Sequence, residues 1–201
     1  MILSELKTLR WADLFIWSLL DPRALSRQIQ RQEPRSFALS FMIPAMAAIA
    51  DILAVSILST QTAFFYYKVT YGWILSFLWH AIALLVAAVL MDAASQFFGY
   101  RGNAKECITL VNFSQLPKVF ILPLVYLFRV IHFAPIFFYV LFTVALAIWS
   151  VAVMIQGISE MHGAGLGRST VIVLFPAILL GGGLFFILVL LMLCGAGYLG
   201  A

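Results

Sequence analysis

Five long apolar runs, at residues 37–59, 73–97, 108–131, 133–156 and 171–199, limit what this chain can become more than any other feature. A hydrocarbon core about 30 Å thick is crossed by about 20 residues of helix, and each run reaches that length. Backbone in lipid finds no water, so every N–H and C=O needs an internal partner, and such runs form α-helices. Strands of a membrane barrel would alternate polar and apolar residues, which these segments do not. Composition agrees: 64% of the residues are hydrophobic and 10% charged, against roughly 45–50% and about 25% in a soluble domain. The expected fold class is an all-α membrane protein, a bundle of five transmembrane helices. At 201 residues the chain holds no second globular domain of ordinary size. The division is an N-terminal segment, 1–36, and a five-helix transmembrane domain, 37–201.

Within the N-terminal segment, Leu14 to Leu20 is apolar but bracketed by Asp13 and Asp21. It is too short to span, and no small-residue cleavage site follows it. Glu5, Arg10 and Asp13 do not gather on one side of a helical wheel, so the pattern makes no strong amphipathic anchor. With Trp11 and Trp17 nearby, a short interfacial helix and an ordered cap on the bundle are both open.

Orientation follows from the basic residues. Lys7, Arg10, Arg23, Arg27, Arg31 and Arg35 precede the first span, Arg101 and Lys105 lie in the second connection, and Arg168 in the fourth. The other side carries Lys68 and Arg129. The positive-inside rule places the N-terminus in the cytoplasm and, after five crossings, the C-terminus outside. These charges read as topology signals beside anionic headgroups, not as a nucleic-acid patch. The localisation expected is the cell (inner) membrane, multi-pass.

The segment Phe98 to Phe120, FGYRGNAKECITLVNFSQLPKVF, is unusually polar. Its first part is a connection turned by Gly99 and Gly102. Asn112, Ser114, Gln115 and Lys118 lie inside the third span, where polar groups are costly and face the bundle interior. Pro117 removes one backbone hydrogen bond, and Ser114 or Gln115 is expected to satisfy the freed carbonyl. Asp51 lies about 21 Å from the cytoplasmic edge, and His80 at a matching depth in the second span. Lys118, at about 15 Å, has a stem that snorkels or reaches Asp51. Asp51, His80, Asn112, Gln115 and Lys118 therefore make a candidate intramembrane polar site, for an ion, proton or lipid headgroup, or else polar glue between helices. Asp92, near the interface, is expected to be hydrated. Gly181, Gly182 and Gly183 weaken the last helix, and close helix packing is the expected compensation. With Pro176 a turn earlier, a kink is expected.

Two motifs resemble the Yip domain family, membrane proteins named for interacting with Ypt/Rab GTPases. GYRGNAKECITLVNFSQLP is similar to its Gly-x-x-Gly turn, polar-acidic helix start and apolar stretch ending in Pro. WSVAVMIQGISEMHGAGLGRS resembles its Trp, Gly-apolar, His-Gly and final basic residue ahead of the last helix. Asp21-Pro22 before the first span fits as well. With about 36 residues ahead of that span, the chain resembles short bacterial members, for which a Rab-type partner is not implied. The resemblance implies a non-enzymatic membrane-organising or trafficking-type protein. Its connections supply a candidate partner-binding face: Gly99, Arg101, Gly102, Lys105 and Glu106, with Gly157, Glu160, His162, Gly163 and Arg168.

Catalysis has little support in the residues. No GxSxG elbow, HExxH zinc motif or P-loop is present, and neither His80 nor His162 lies at the depth of Ser114. Cys107 and Cys194 fall on opposite sides of the membrane, which excludes a disulfide between them, and no Cys/His spacing marks a metal site. The 18 Phe residues read as packing and lipid-facing material. No cofactor, metal or nucleic acid is expected; the partners are the bilayer, a protein at the cytoplasmic face and another copy of the chain. The alternative function is a small transporter, channel or lipid translocase using Asp51, His80 and Lys118.

Overall fold

The computed structural model describes residues 11–31, 33–58 and 73–199, and every regular element among them is helical. Glu5, Lys7, Arg10, Ser59 and Lys68 lie outside the described residues, as do the side chains of Trp11, Glu33, Arg35 and Cys194. Five stretches are long and apolar enough to cross a membrane: Ser36–Leu58, Phe77–Phe97, Ala104–Val130, Pro135–His162 and Leu166–Gly183. The protein is thus an all-α, five-span membrane protein.

Two short helices, α1 (Trp11–Leu20) and α2 (Pro22–Arg31), precede the spans. Asp21 separates them and caps the second: its Oδ1 accepts the Ala24 N–H at 3.0 Å. Pro22 follows at the first helical position, where an N–H is not needed. Pro22, Leu25, Ser26 and Ile29 of α2 are buried and Arg23, Arg27 and Arg31 exposed, the division that a period of 3.6 produces. Leu14, Leu25 and Ile29 join Leu110, Phe113 and Ile158 in the main core. These contacts make α1 and α2 a cap packed on the bundle.

The first span consists of α3 (Glu33–Ser40) and α4 (Met42–Leu58). The third is α6 (Ala104–Phe113), a 3₁₀ turn at Leu116–Phe120 and α7 (Ile121–Val130). Both interruptions have one cause. A proline donates no hydrogen bond, and its ring crowds the carbonyl four residues back. Pro44 stands four after Ser40, where α3 ends, and Pro117 four after Phe113, where α6 ends. The continuous helix expected over 108–131 is therefore corrected to two helices joined by a 3₁₀ turn. The carbonyl that Pro117 frees belongs to Phe113, and Ser18 Oγ of α1 donates to it at 2.7 Å. Ser114, expected in that role, instead donates to the Val111 carbonyl at 2.6 Å. That carbonyl is vacant because the Gln115 N–H has turned to Asn112.

The remaining spans are α5 (Trp73–Phe97), α8 (Pro135–His162) and α9 (Leu166–Leu199). Helix α8 runs past residue 156 and ends only where Gly163 takes a left-handed φ of 59°, a common helix stop. The polar Gln156, Glu160 and His162 hide this continuation from hydropathy. Between α7 and α8, His132 (φ 55°) and Ala134 (φ 38°) turn the chain, and the Phe128 and Phe138 rings stack across the turn at 3.9 Å. Helix α9 continues through Pro176. At Gly181, Gly182 and Gly183 an added Cβ would meet nothing within 4 Å. The close packing expected of these glycines is thus not found among the described residues.

Helix α6 packs on α3 and α5; α4 on α5, α7 and the 3₁₀ turn; and α8 on α2, α7 and α9. The cap and the turns at 98–103 and 163–165 lie on one face, termed the near face. The turn at 131–134 lies on the other, the far face. Trp79, Phe137, Ile148 and Ile178 point outward, as a surface solvated by lipid permits.

Candidate functional site

A cavity of about 270 Å³ lies among the spans. Four elements supply its polar groups: Asp51 from α4, His80 from α5, Lys118 from the 3₁₀ turn, and Tyr139 with Thr143 from α8. Local geometry explains each contribution. Residues three or four apart share a helix face, so Tyr139, Thr143 and Ala147 line one wall and Ala47 with Asp51 another. The 3₁₀ turn eclipses side chains three apart, which brings Lys118 and Ile121 to the same side. The break at Pro117 therefore brings Lys118 to the cavity wall. Tyr139 Oη donates to Asp51 Oδ1 at 3.0 Å, and Thr143 Oγ1 donates to the Tyr139 carbonyl at 2.7 Å. The space far exceeds what one buried water needs, and the walls offer it several polar partners.

A second, larger hollow of about 670 Å³ opens on the near face, lined by Gln30, Tyr100, Arg101, Gly102, Asn103, Glu106, Met161 and His162. Asp92 organises its floor. That carboxylate is 8% exposed; it accepts the Asn103 N–H at 2.7 Å and Gln96 Nε2 at 2.9 Å, which holds the 98–103 turn against α5. The hydration expected of Asp92 is corrected accordingly: hydrogen bonds from Asn103 in the turn and Gln96 in α5 take the place of water. The Asn103 side chain donates to Glu106 Oε1 at 2.7 Å. His162 stacks on Tyr100 with centroids 5.4 Å apart, and Arg168 Nη1 donates to Tyr100 Oη at 3.4 Å. His162 Nε2 is buried with no hydrogen-bond partner among the described residues.

The structure thus gathers Asp51, His80 and Lys118 and adds Tyr139 and Thr143, which the sequence reading missed. Their signal was two hydroxyls one helical turn apart in an apolar run. Asn112 and Gln115 do not line this cavity. Asn112 Nδ2 donates to Ser40 Oγ at 3.0 Å, tying α6 to α3, and Gln115 Nε2 donates to Ser114 Oγ at 3.2 Å. Of the near-face residues, Arg101, Gly102, Glu106 and His162 meet in the hollow. Gly99 and Gly163 take left-handed φ in the turns, and Lys105 is exposed. Glu160 stands 3.8 Å from Arg27 Nε. Gly157 is buried: its carbonyl accepts Ser26 Oγ at 3.0 Å, and a Cβ there would fall 2.5 Å from Leu110 Cδ1. It is a packing residue, with no surface to offer a partner.

The family model described as the Yip1 domain matches residues 17–194. No curated protein and no solved structure matches the chain.

Proposed function

The chain belongs to the Yip1 domain family, and on that footing we propose that it is a non-enzymatic membrane protein that organises partner proteins at its near face. The observation that carries this reading is the hollow, where Arg101 and Glu106 from one connection meet His162 from the end of α8. Its volume suits a protein loop or terminus, and the exposed Gln30 and Arg101 in its lining offer polar contacts. Arg23, Arg27, Arg31, Lys105 and Arg168 are exposed in the cap and connections of the same face and steer acidic segments toward it. The near face is the cytoplasmic one in this reading, and the cell (inner) membrane the location.

A photo-crosslinking residue at Lys105 in the full chain tests it. Discrete crosslinked partners are expected, and they should disappear when Arg101 and His162 are replaced by Ala in the same chain. The same probe at Ile131, on the far face, should yield none of them. Identical products at both positions, or products unaffected by the two Ala substitutions, would remove the near face from the account.

A further inference from the structure

We propose that the cavity lined by Asp51, Lys118 and Tyr139 binds a zwitterion, an ammonium joined to an anionic oxygen group, as in the headgroup of a zwitterionic phospholipid. This site is separate from the near-face hollow.

Charge balance selects the ligand. Asp51 and Lys118 bring opposite charges to one cavity inside the spans. A lone cation at Asp51 would leave the ammonium of Lys118 as net charge in a medium of low dielectric, and a lone anion at Lys118 would leave the carboxylate. Uncompensated charge there is strongly unfavourable. A zwitterion gives each group its counter-charge and keeps the net at zero. Tyr139 and His80 add hydrogen-bonding groups, and Ile121 and Leu146 an apolar wall for the ligand's carbons.

Size and access favour a headgroup. The 270 Å³ is just below the roughly 300–1,000 Å³ of sites for drug-sized ligands. Thr143 at the rim is exposed, between the outward-facing Val140 and Val144, so the cavity reaches the lipid-facing side of α8. Tyr139 lies one turn from Pro135, roughly 6 Å along the helix, within reach of headgroups in the far leaflet.

The test uses the full chain in detergent and native mass spectrometry, with phosphatidylethanolamine and phosphatidylglycerol offered at equal concentration. Wild type is expected to retain the zwitterionic lipid at least tenfold better than the anionic one. Asp51→Asn and Lys118→Gln should each abolish that preference, and so should Ala147→Phe, which fills the cavity and leaves its charges in place. Soluble glycerophosphoethanolamine, a net-neutral phosphodiester like the lipid headgroup, separates the two sources: displacement of the lipid at matched concentration assigns the site to free zwitterions, and failure to displace it assigns the site to lipid, the zwitterion standing in both cases. Equal retention of the two lipids by wild type overturns the proposal and requires no variant to fold. Undiminished preference in monodisperse Asp51→Asn and Lys118→Gln overturns it as well.

Discussion

Gly157 shows how a residue changes meaning once its neighbours are known. In the sequence it belongs to a glycine-bearing connection; in the fold it lies where α8 comes close to α6, with Leu110 Cδ1 and Cδ2 at 2.5 and 2.7 Å from the position of a Cβ. Gly157→Ala should therefore destabilise the protein by about 1–3 kcal/mol, the usual cost of overpacking. Gly181→Ala, with nothing within 4 Å, should be neutral or slightly stabilising, since Ala favours a helix by about 1 kcal/mol. Thermal unfolding in detergent compares them, and equal midpoints would refute the packing role. Asp51, His80 and Lys118 were legible because ionisable residues are rare inside spans and stand out. Tyr139 and Thr143 were not, since an aromatic and a β-branched residue pass for ordinary members of an apolar run. Asn112 and Gln115 were grouped with the cavity as polar residues inside a span, and polarity alone does not say which part of the interior a residue faces.

Among the elements, length and hydropathy made the five spans readable, whereas the breaks within two of them depend on backbone hydrogen bonds that hydropathy does not register. The interruption at Pro117 was half visible: the proline was noted, but the donor to the freed carbonyl lies 95 residues away in sequence, at Ser18. The cap was left open against a surface helix, because what decides it is the burial of Pro22, Leu25 and Ile29 on one side of α2, a tertiary contact that the sequence does not print. The pairing of Ser18 with Phe113 makes a double-mutant prediction. Ser18→Ala strands a buried carbonyl and should cost about 1–3 kcal/mol. Pro117→Ala supplies an N–H four residues after Phe113, so in that background the Ser18→Ala cost should shrink. Equal costs in the two backgrounds would show that the hydroxyl does not substitute for the missing donor.

At the scale of the whole molecule, α8 carries both sites, with Tyr139 near its far end and His162 at its near end, roughly 35 Å apart at 1.5 Å per residue. The polar cavity and the near-face hollow thus address opposite sides of the bilayer, so orientation decides which compartment each one serves. Arg23, Arg27, Arg31, Arg101, Lys105 and Arg168 are exposed on the near face, and Arg129 among the described residues on the far face. By the positive-inside rule, a bias of this size predicts a cytoplasmic near face. Cysteine labelling reads it directly. In a background with Cys107→Ala and Cys194→Ala, a membrane-impermeant maleimide added to intact cells should label Ile131→Cys, whose parent residue is 58% exposed. Arg101→Cys should stay unlabelled until the membrane is permeabilised. The reverse pattern would turn the molecule over: the hollow would then face outward, and the zwitterion cavity would draw on the cytoplasmic leaflet.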